Sequence, residues 1–374
     1  MNRTVVGNAE NRLMILRKIS PLYPWGYAHL HTMDSYEVLV ADTVRRADPL
    51  GRCNTCLKAP PAGARLMKCG ACSAAFYCST QCQKAHWPRH KSTCRANTAQ
   101  DPASVARYGY TSFATFSRDF QDFLDAHEWA LRMIVSVQRQ LQRDANPDVP
   151  FSELPMLLRV AMRCRTTSSD TQKHRSPATR FAVVSQTFHD LEAYARTQEH
   201  LWEQNAPVRD EIHRAFAQQL PHYTGQLFAV HYDVPAGMDH LAFFPVQTPL
   251  EPAPGTPEQR RAILEDMLDF CTRSINDGFP LRITTLEGNR FPESLLAYPG
   301  TFVRSEGCWV WKAILEDWKS YTPGQHRRLD LAVAGVKTRL AIPDLILSSL
   351  HITCAVSTLI VQDAFARRRI PISS

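Results

Sequence analysis

The stretch CGACSAAFYCSTQCQKAHWPRHKSTC, Cys69 to Cys94, holds five cysteines and two histidines in 26 residues. Just upstream, CNTC (Cys53 to Cys56) adds two more, so seven of the eleven cysteines fall within 42 residues. The opening residues, MNRTVVGNAENRLMILRKIS, contain no apolar run long enough for a secretory signal. An intracellular, reducing setting is therefore expected, and there an odd number of clustered thiols points to metal rather than to disulfides.

The candidate ligands run C-x2-C, twelve residues, C-x2-C, five residues, C-x3-C, seven residues, H-x3-C. They are Cys53, Cys56, Cys69, Cys72, Cys78, Cys82, His90 and Cys94. Eight soft or borderline donors make two sets of four, which suits two zinc ions. A C-x2-C turn aims two sulfurs at one ion, with Gly70 expected to relieve the second such turn. Cys78 with Cys82 and His90 with Cys94 are four apart, which on a helix puts each pair on one face. Ser79 reads as an N-cap, and Trp87–Pro88 as the end of one short helix and the start of the next. Inert buried cysteines would not need this regular spacing. The spacing by itself allows either sequential or interleaved pairing of the four ligand pairs.

Charge is concentrated on the same segment. Between Gly51 and Arg95 lie Arg52, Lys58, Arg65, Lys68, Lys84, Arg89, Lys91 and Arg95, with no Asp or Glu. Taking these eight from 43 Lys and Arg leaves 35 against 36 acidic residues elsewhere, so the net +7 belongs to the cysteine cluster. Seven thiolates and two zinc ions would still leave the segment at about +5. Acidic surfaces or phosphates are therefore natural neighbours. The basic residues are expected to be spread around the small module rather than gathered on one helix.

The ligand series, ending in FYCSTQCQKAHWPRHKSTC, resembles a MYND-type zinc finger at all eight ligand positions, and its setting is similar to that of fungal MYND proteins. The resemblance implies a cross-braced, treble-clef-like finger with two structural zinc ions. One zinc would be held by Cys53, Cys56, Cys78 and Cys82, the other by Cys69, Cys72, His90 and Cys94. It also implies binding of short proline-containing peptides, often P-x-L-x-P, in a groove that corresponds here to Gln83 and Trp87. Tryptophan suits that task, with a flat apolar face and one donor; the alternative role for Trp87 is to cover the second zinc. Where some peptide-binding members have Ser after the third cysteine, this chain has Gly70. Because protein groups fill all four positions on each zinc, metal catalysis is not expected.

At 374 residues the chain is long enough for two or three domains, and 44% apolar content marks it as globular rather than disordered. The expected organisation is an N-terminal, partly helical segment (1–50), the finger (51–95), a linker (96–111) and a mainly helical domain (112–374) with minor β content. Phe113, Phe116, Phe120, Leu124, His127, Leu131, Ile134, Gln138 and Leu141 predict an amphipathic helix of about thirty residues, with His127 as a satisfied core side chain. Shorter helices are expected up to about Leu220. GQLFAVHYDVP is the best strand, and Thr256, Pro257 and Gln259 open a capped helix that ends near NDG. CWVWKAILEDWKSY and HRRLDLAVAGVKTRL predict two more helices. Leu345 to Gln362 lacks formal charge over eighteen residues, near the lower limit for a span. Its Ser, Thr and His351, after Pro343 and Asp344, favour a buried core helix over a membrane segment.

Enzyme signatures are missing. Nothing matches the N-H-S-C or G-E-E-[LI] signatures of SET methyltransferases, some of which carry a MYND insertion. The HYD of His231 and Asp233 resembles part of an iron site but has no suitably placed third ligand, and no H-E-x-x-H, G-x-S-x-G or phosphate loop occurs. The expected function is therefore a non-enzymatic, zinc-dependent protein-interaction adaptor in the nucleus or cytoplasm, in a transcriptional or chromatin setting. The alternatives are an enzyme with degenerate motifs and nucleic-acid binding through the basic finger. TPLEP (Thr248 to Pro252) is a possible self-ligand, against the plainer reading of a surface loop.

Overall fold

In the computed structural model, the described residues are 53–56, 66–150, 153–165, 175–219, 223–247, 255–283, 296–305 and 308–353. Residues 1–50, the TPLEP stretch and everything beyond residue 353 lie outside them.

The finger contains two short antiparallel strands, β1 (Met67–Lys68) and β2 (Phe76–Tyr77), followed by helix α1 (Thr80–Ala99). Ser79 caps α1, its hydroxyl accepting from Cys82 N at 3.1 Å. The expected break at Trp87–Pro88 does not occur: Pro88 sits inside one continuous helix. An interior proline removes one hydrogen bond and costs about 3 kcal/mol in isolation. Here it lies on the exposed side, where water can satisfy the carbonyl it leaves without its usual donor. Metal ligands on both halves of the helix supply the compensating restraint.

After α2 (Ala103–Ala106) the chain forms α3 (Phe113–Ala126) and α4 (Glu128–Ala145). These are the predicted thirty-residue helix, bent at His127, whose φ and ψ are −105° and 17°. His127 is fully buried, and its Nε2–H donates to the Ala178 carbonyl at 2.8 Å. Arg282 meanwhile donates to the Asp125 carbonyl at 2.9 Å. The bend is thus fixed by tertiary hydrogen bonds that no local sequence signal announces.

The expectation of minor β content is corrected. Residues 157–164 and 181–189, within the region expected to be helical, are strands β3 (Leu157–Cys164) and β4 (Phe181–His189). Helices α5 (Leu191–Thr197), α6 (Glu199–Gln204) and α7 (Ala206–Gln219) then lead to β5 (Tyr223–Asp233) and β6 (Met238–Gln247). The sheet order is β4-β3-β5-β6, with β3 and β5 parallel and the outer pairs antiparallel. Its two faces pack differently. Leu158, Val160, Leu227, Ala229 and Phe244 join the main core, whereas Leu157, Phe228, Val230 and Phe243 pack against Tyr194, Ile212 and Trp202.

Helix α8 (Pro257–Asp277) starts with the predicted capping box and ends at left-handed Gly278. It is followed by a second sheet, β7 (Leu281–Ile283), β8 (Ala297–Ser305) and β9 (Cys308–Ala313), in that order. CWVWKA is therefore a strand and not a helix. Trp311 lies over Gly300, where an added Cβ would come within 2.2 Å of the indole, so only glycine permits this contact. Helices α9 (Arg327–Ala334) and α10 (Ile342–Ile352) complete the described fold. Among the described residues, no helix is long and apolar enough to cross a membrane.

Candidate metal centre

Hydrogen bonds of the two CxxC turns bring the ligands together. In the first turn, Asn54 N donates to the Phe76 carbonyl at 2.8 Å, and Asn54 Oδ1 accepts from Phe76 N at 2.6 Å. Thr55 Oγ1 donates to the Cys82 carbonyl at 2.6 Å. The CNTC turn is thereby tied to β2, beside Cys78, and to the first turn of α1, which carries Cys82. In the second turn, Cys69 N donates to Ala75 O and Ser73 N to Cys69 O, both at 2.9 Å. The left-handed residue here is Ser73, at φ 57°. Gly70 is not in that region, and a Cβ on it would meet nothing within 4 Å. The expected conformational need for Gly70 is therefore absent.

These ties gather Cys53, Cys56, Cys78 and Cys82 into one set, and Cys69, Cys72, His90 and Cys94 into another. Within each set all four ligand atoms lie within 4.8 Å of one another. Cys56 and Cys82 each approach Cys78 Sγ at 3.5 Å; Cys69 and Cys94 are 3.8 Å apart, and Cys72 Sγ is 3.3 Å from His90 Nε2. A tetrahedral zinc with Zn–S near 2.3 Å sets its ligand atoms about 3.8 Å apart. The donor sets fit two structural zinc ions, paired in the interleaved way.

Ionisation also fits metal binding. Burial raises the Cys53 thiol, but backbone N–H groups around Cys56, Cys78 and Thr55 outweigh it and bring the thiol down to about 6. In the same set, hydrogen bonding to Cys82 and Cys56 pushes Cys78 up to about 12. In the second set, burial and the neighbouring thiols push Cys94 up to about 12. Without a cation, then, each set shares protons among its sulfurs, and a divalent ion takes their place. Burial lowers His90, which keeps its imidazole neutral and able to ligate.

Two supporting residues escaped the sequence reading. Tyr77, fully buried, hydrogen-bonds His86 Nδ1 at 3.0 Å, and the His86 ring stacks on His90 with centroids 5.5 Å apart. Both rings pack against the imidazole ligand. The i, i+4 spacing of His86 and His90 was the available signal. The finger meets the rest of the chain where α1 contacts α3, and the Arg118 guanidinium lies 5.9 Å above the Phe76 ring.

Gln83 is half-buried on α1, and Trp87, one turn later, is 43% exposed. The Trp87 ring touches His90 edge-on, with centroids 6.2 Å apart. Three of the basic residues, Lys84, Lys91 and Arg95, are exposed on α1 and aligned along one side by their spacing, while Lys68 is exposed on β1 and Arg52, Lys58 and Arg65 lie outside the described residues. The HYD residues make no metal cluster with other described residues. Asp233 instead accepts from Cys164 N and Ala236 N, both at 3.0 Å, and from Tyr108 Oη at 3.3 Å, joining β3, β5 and the chain after α2.

Residues 53–94 match the MYND finger family. Similar curated proteins are named N-lysine methyltransferases. SMYD2-A of Xenopus laevis is 39% identical over 67 residues, 18% of this chain and 14% of that protein. SMYD2-B of Danio rerio is 56% identical over 34 residues, 9% and 8% of the two chains. SMYD2 of Homo sapiens is 59% identical over 29 residues, 8% and 7%. The likeness is confined to the finger region, so the chain spans at most about one seventh of these relatives. No solved structure matches it.

The class this defines is a protein with a metal-ordered interaction module. More particularly, residues 53–94 are a MYND finger whose two Cys/His sets fit structural zinc.

Proposed function

We propose that this protein is an adaptor whose MYND finger docks short proline-containing segments of other proteins against Gln83 and Trp87. The observation that supports it most is the 43% exposure of Trp87 on a helix whose other side holds metal ligands. A tryptophan whose only task was to cover the second zinc would be buried, whereas this one touches His90 along one edge and leaves much of its surface free. Large exposed aromatic faces are the usual anchors of peptide interfaces. Gln83, one turn away, adds a polar group able to bond a peptide backbone. The zinc ions serve to order a segment too short to hold itself.

Titrating full-length, zinc-loaded protein with a fluorescent P-x-L-x-P peptide tests the reading. Saturable binding is expected, weakened at least tenfold by Trp87→Ala with the zinc content unchanged. Equal affinity of the two proteins would remove the groove. A nuclear, transcription-linked setting belongs to the same proposal, and imaging of tagged full-length protein checks it: exclusion from the nucleus would refute it.

A further inference from the structure

The exposed side of α1 has no part in zinc binding. On a helix of 3.6 residues per turn, Cys82, His86, His90 and Cys94 share the side that carries the helix's ligands to both metal sets and their support. Lys84, Lys91 and Arg95 lie about half a turn away, at seven- and four-residue steps that keep them in line. All three are exposed, and among the described residues none is in an ion pair. Residues 51–95 contain no Asp or Glu that could neutralise them from within the finger. Trp87 stands at the border of this line, one turn after Lys84 and one before Lys91.

Building on the docking reading above, we infer that α1 selects acidic segments: prolines flanked on both sides by Asp or Glu. Lys84 to Arg95 spans roughly 16 Å along the helix. An extended peptide covers that length in about five residues. A proline seated on Trp87 therefore places its near neighbours beside Lys84 on one side and beside Lys91 and Arg95 on the other. Charge also separates this partner from nucleic acid. One strand of a duplex carries about five phosphates over the same length, more than three cations can meet. A short peptide can present two or three carboxylates and match them. Such exposed pairs contribute little individually and are screened by salt, so their joint effect is selectivity, on the order of tenfold in affinity at low ionic strength.

The test uses full-length, zinc-loaded protein and two fluorescent peptides with the same P-x-L-x-P core. One is flanked on both sides by Glu, the other by Gln. The Glu peptide is expected to bind about tenfold more tightly at low salt. The advantage should shrink at high salt and vanish in the K84Q/K91Q/R95Q variant, which should keep its two zinc ions. Single Lys84→Gln and Lys91→Gln proteins carry the comparison should the triple variant lose metal. If both peptides bind equally and Trp87→Ala weakens both, acidic selection is wrong while the groove survives. If neither peptide binds, the groove and this inference fall together. A short DNA duplex that outcompetes the Glu peptide, and loses its affinity in the triple variant, assigns the basic line to nucleic acid and overturns the proposal.

Discussion

Among the described residues of the finger, the buried apolar side chains beyond the cysteines are Ala75 and Tyr77. In the body of the chain, Phe116, Phe120, Phe123, Leu124, Ile134, Phe181 and Phe270 sit at 1% exposure or less within one continuous core. Two side chains cannot offset the conformational entropy of ordering some forty residues, at about 1–2 kcal/mol each for the backbone alone. Two tetrahedral metal sites can, because binding energy at such a site is folding energy. The body is ordered by burial instead. Its aromatic rings interlock: Phe181 meets Phe116, Phe120 and Phe123 at centroid distances of 5.4, 5.0 and 5.3 Å. One chain thus holds a region organised by coordination chemistry beside one organised by burial.

The comparison breaks most clearly under chelation. A zinc-specific chelator is expected to remove two equivalents of metal and, at apparent energies of about 10 kcal/mol or more per site, to unfold residues 53–94. Amide exchange should then be fast through β1, β2 and the metal-binding part of α1 and stay slow in α4, α8 and β5. Retained protection in the finger would show that zinc does not organise it. Phe181→Ala probes the other side. Emptying a fully buried site among three aromatic rings should cost about 3–5 kcal/mol in denaturant unfolding and leave the zinc stoichiometry at two. A loss of zinc in that variant would show that the two regions fold as one unit.

Acid sharpens the contrast within the body. Burial, the main cause, brings His127 to about 4, His231 to about 3 and His240 to about 4. The native state therefore stays neutral at these sites, while an unfolded chain takes up protons near pH 6.5. Their contribution is fully present above about 6.5 and is lost as the pH falls toward 4. Asp122 acts in the opposite sense: burial first and Asp119 second raise it to about 6, so its cost grows as the pH rises from about 4 to 6. Burial raises Asp233 and Asp239 in the same sense, but the three histidine shifts are the larger, and stability should fall between pH 6.5 and 4. Exchange protection of β5 and β6 followed against pH checks this without reference to the finger, whose ligands also protonate. The slope should flatten in His231→Phe, and an unchanged slope would exclude that histidine as a source.

What could be read from the sequence divides along the same line. Metal ligands must be particular residue types at particular separations, so the finger's eight donors stood out as letters. The hydrogen bonds that interleave their pairs did not, because Asn54 and Thr55 act through distant partners, Phe76 and Cys82. In the body, the capping box at Thr256 was legible because a cap is local, and GQLFAVHYD because β-branched and aromatic residues alternate there. LLRVAMRC was misread since Leu, Arg, Ala and Met favour helices, while β3, buried on both faces, does not show clean alternation. CWVWKA was misread because a short apolar run serves a strand or a helix equally well, and its pairing with β8 decides. The Pro88 break failed for a related reason: ligands on both halves of α1 outweigh a local helix-breaking signal.

The smallest expected effect lies at Gly70, where this finger departs from the peptide-binding pattern it resembles. The residue is exposed, has no left-handed backbone and has open space where a Cβ would be. Gly70→Ser should therefore leave zinc content unchanged and stability within about 0.5 kcal/mol. A hydroxyl here restores a hydrogen-bonding group, and one net hydrogen bond is worth about 0.5–1.5 kcal/mol. Affinity for a P-x-L-x-P peptide should rise by roughly two- to tenfold. The direction distinguishes two roles for the glycine. A loss of zinc or of stability would mean that the second turn needs glycine after all, against the backbone geometry. An unchanged affinity with intact metal would place the peptide away from this turn and leave Gln83 and Trp87 as the anchors that matter.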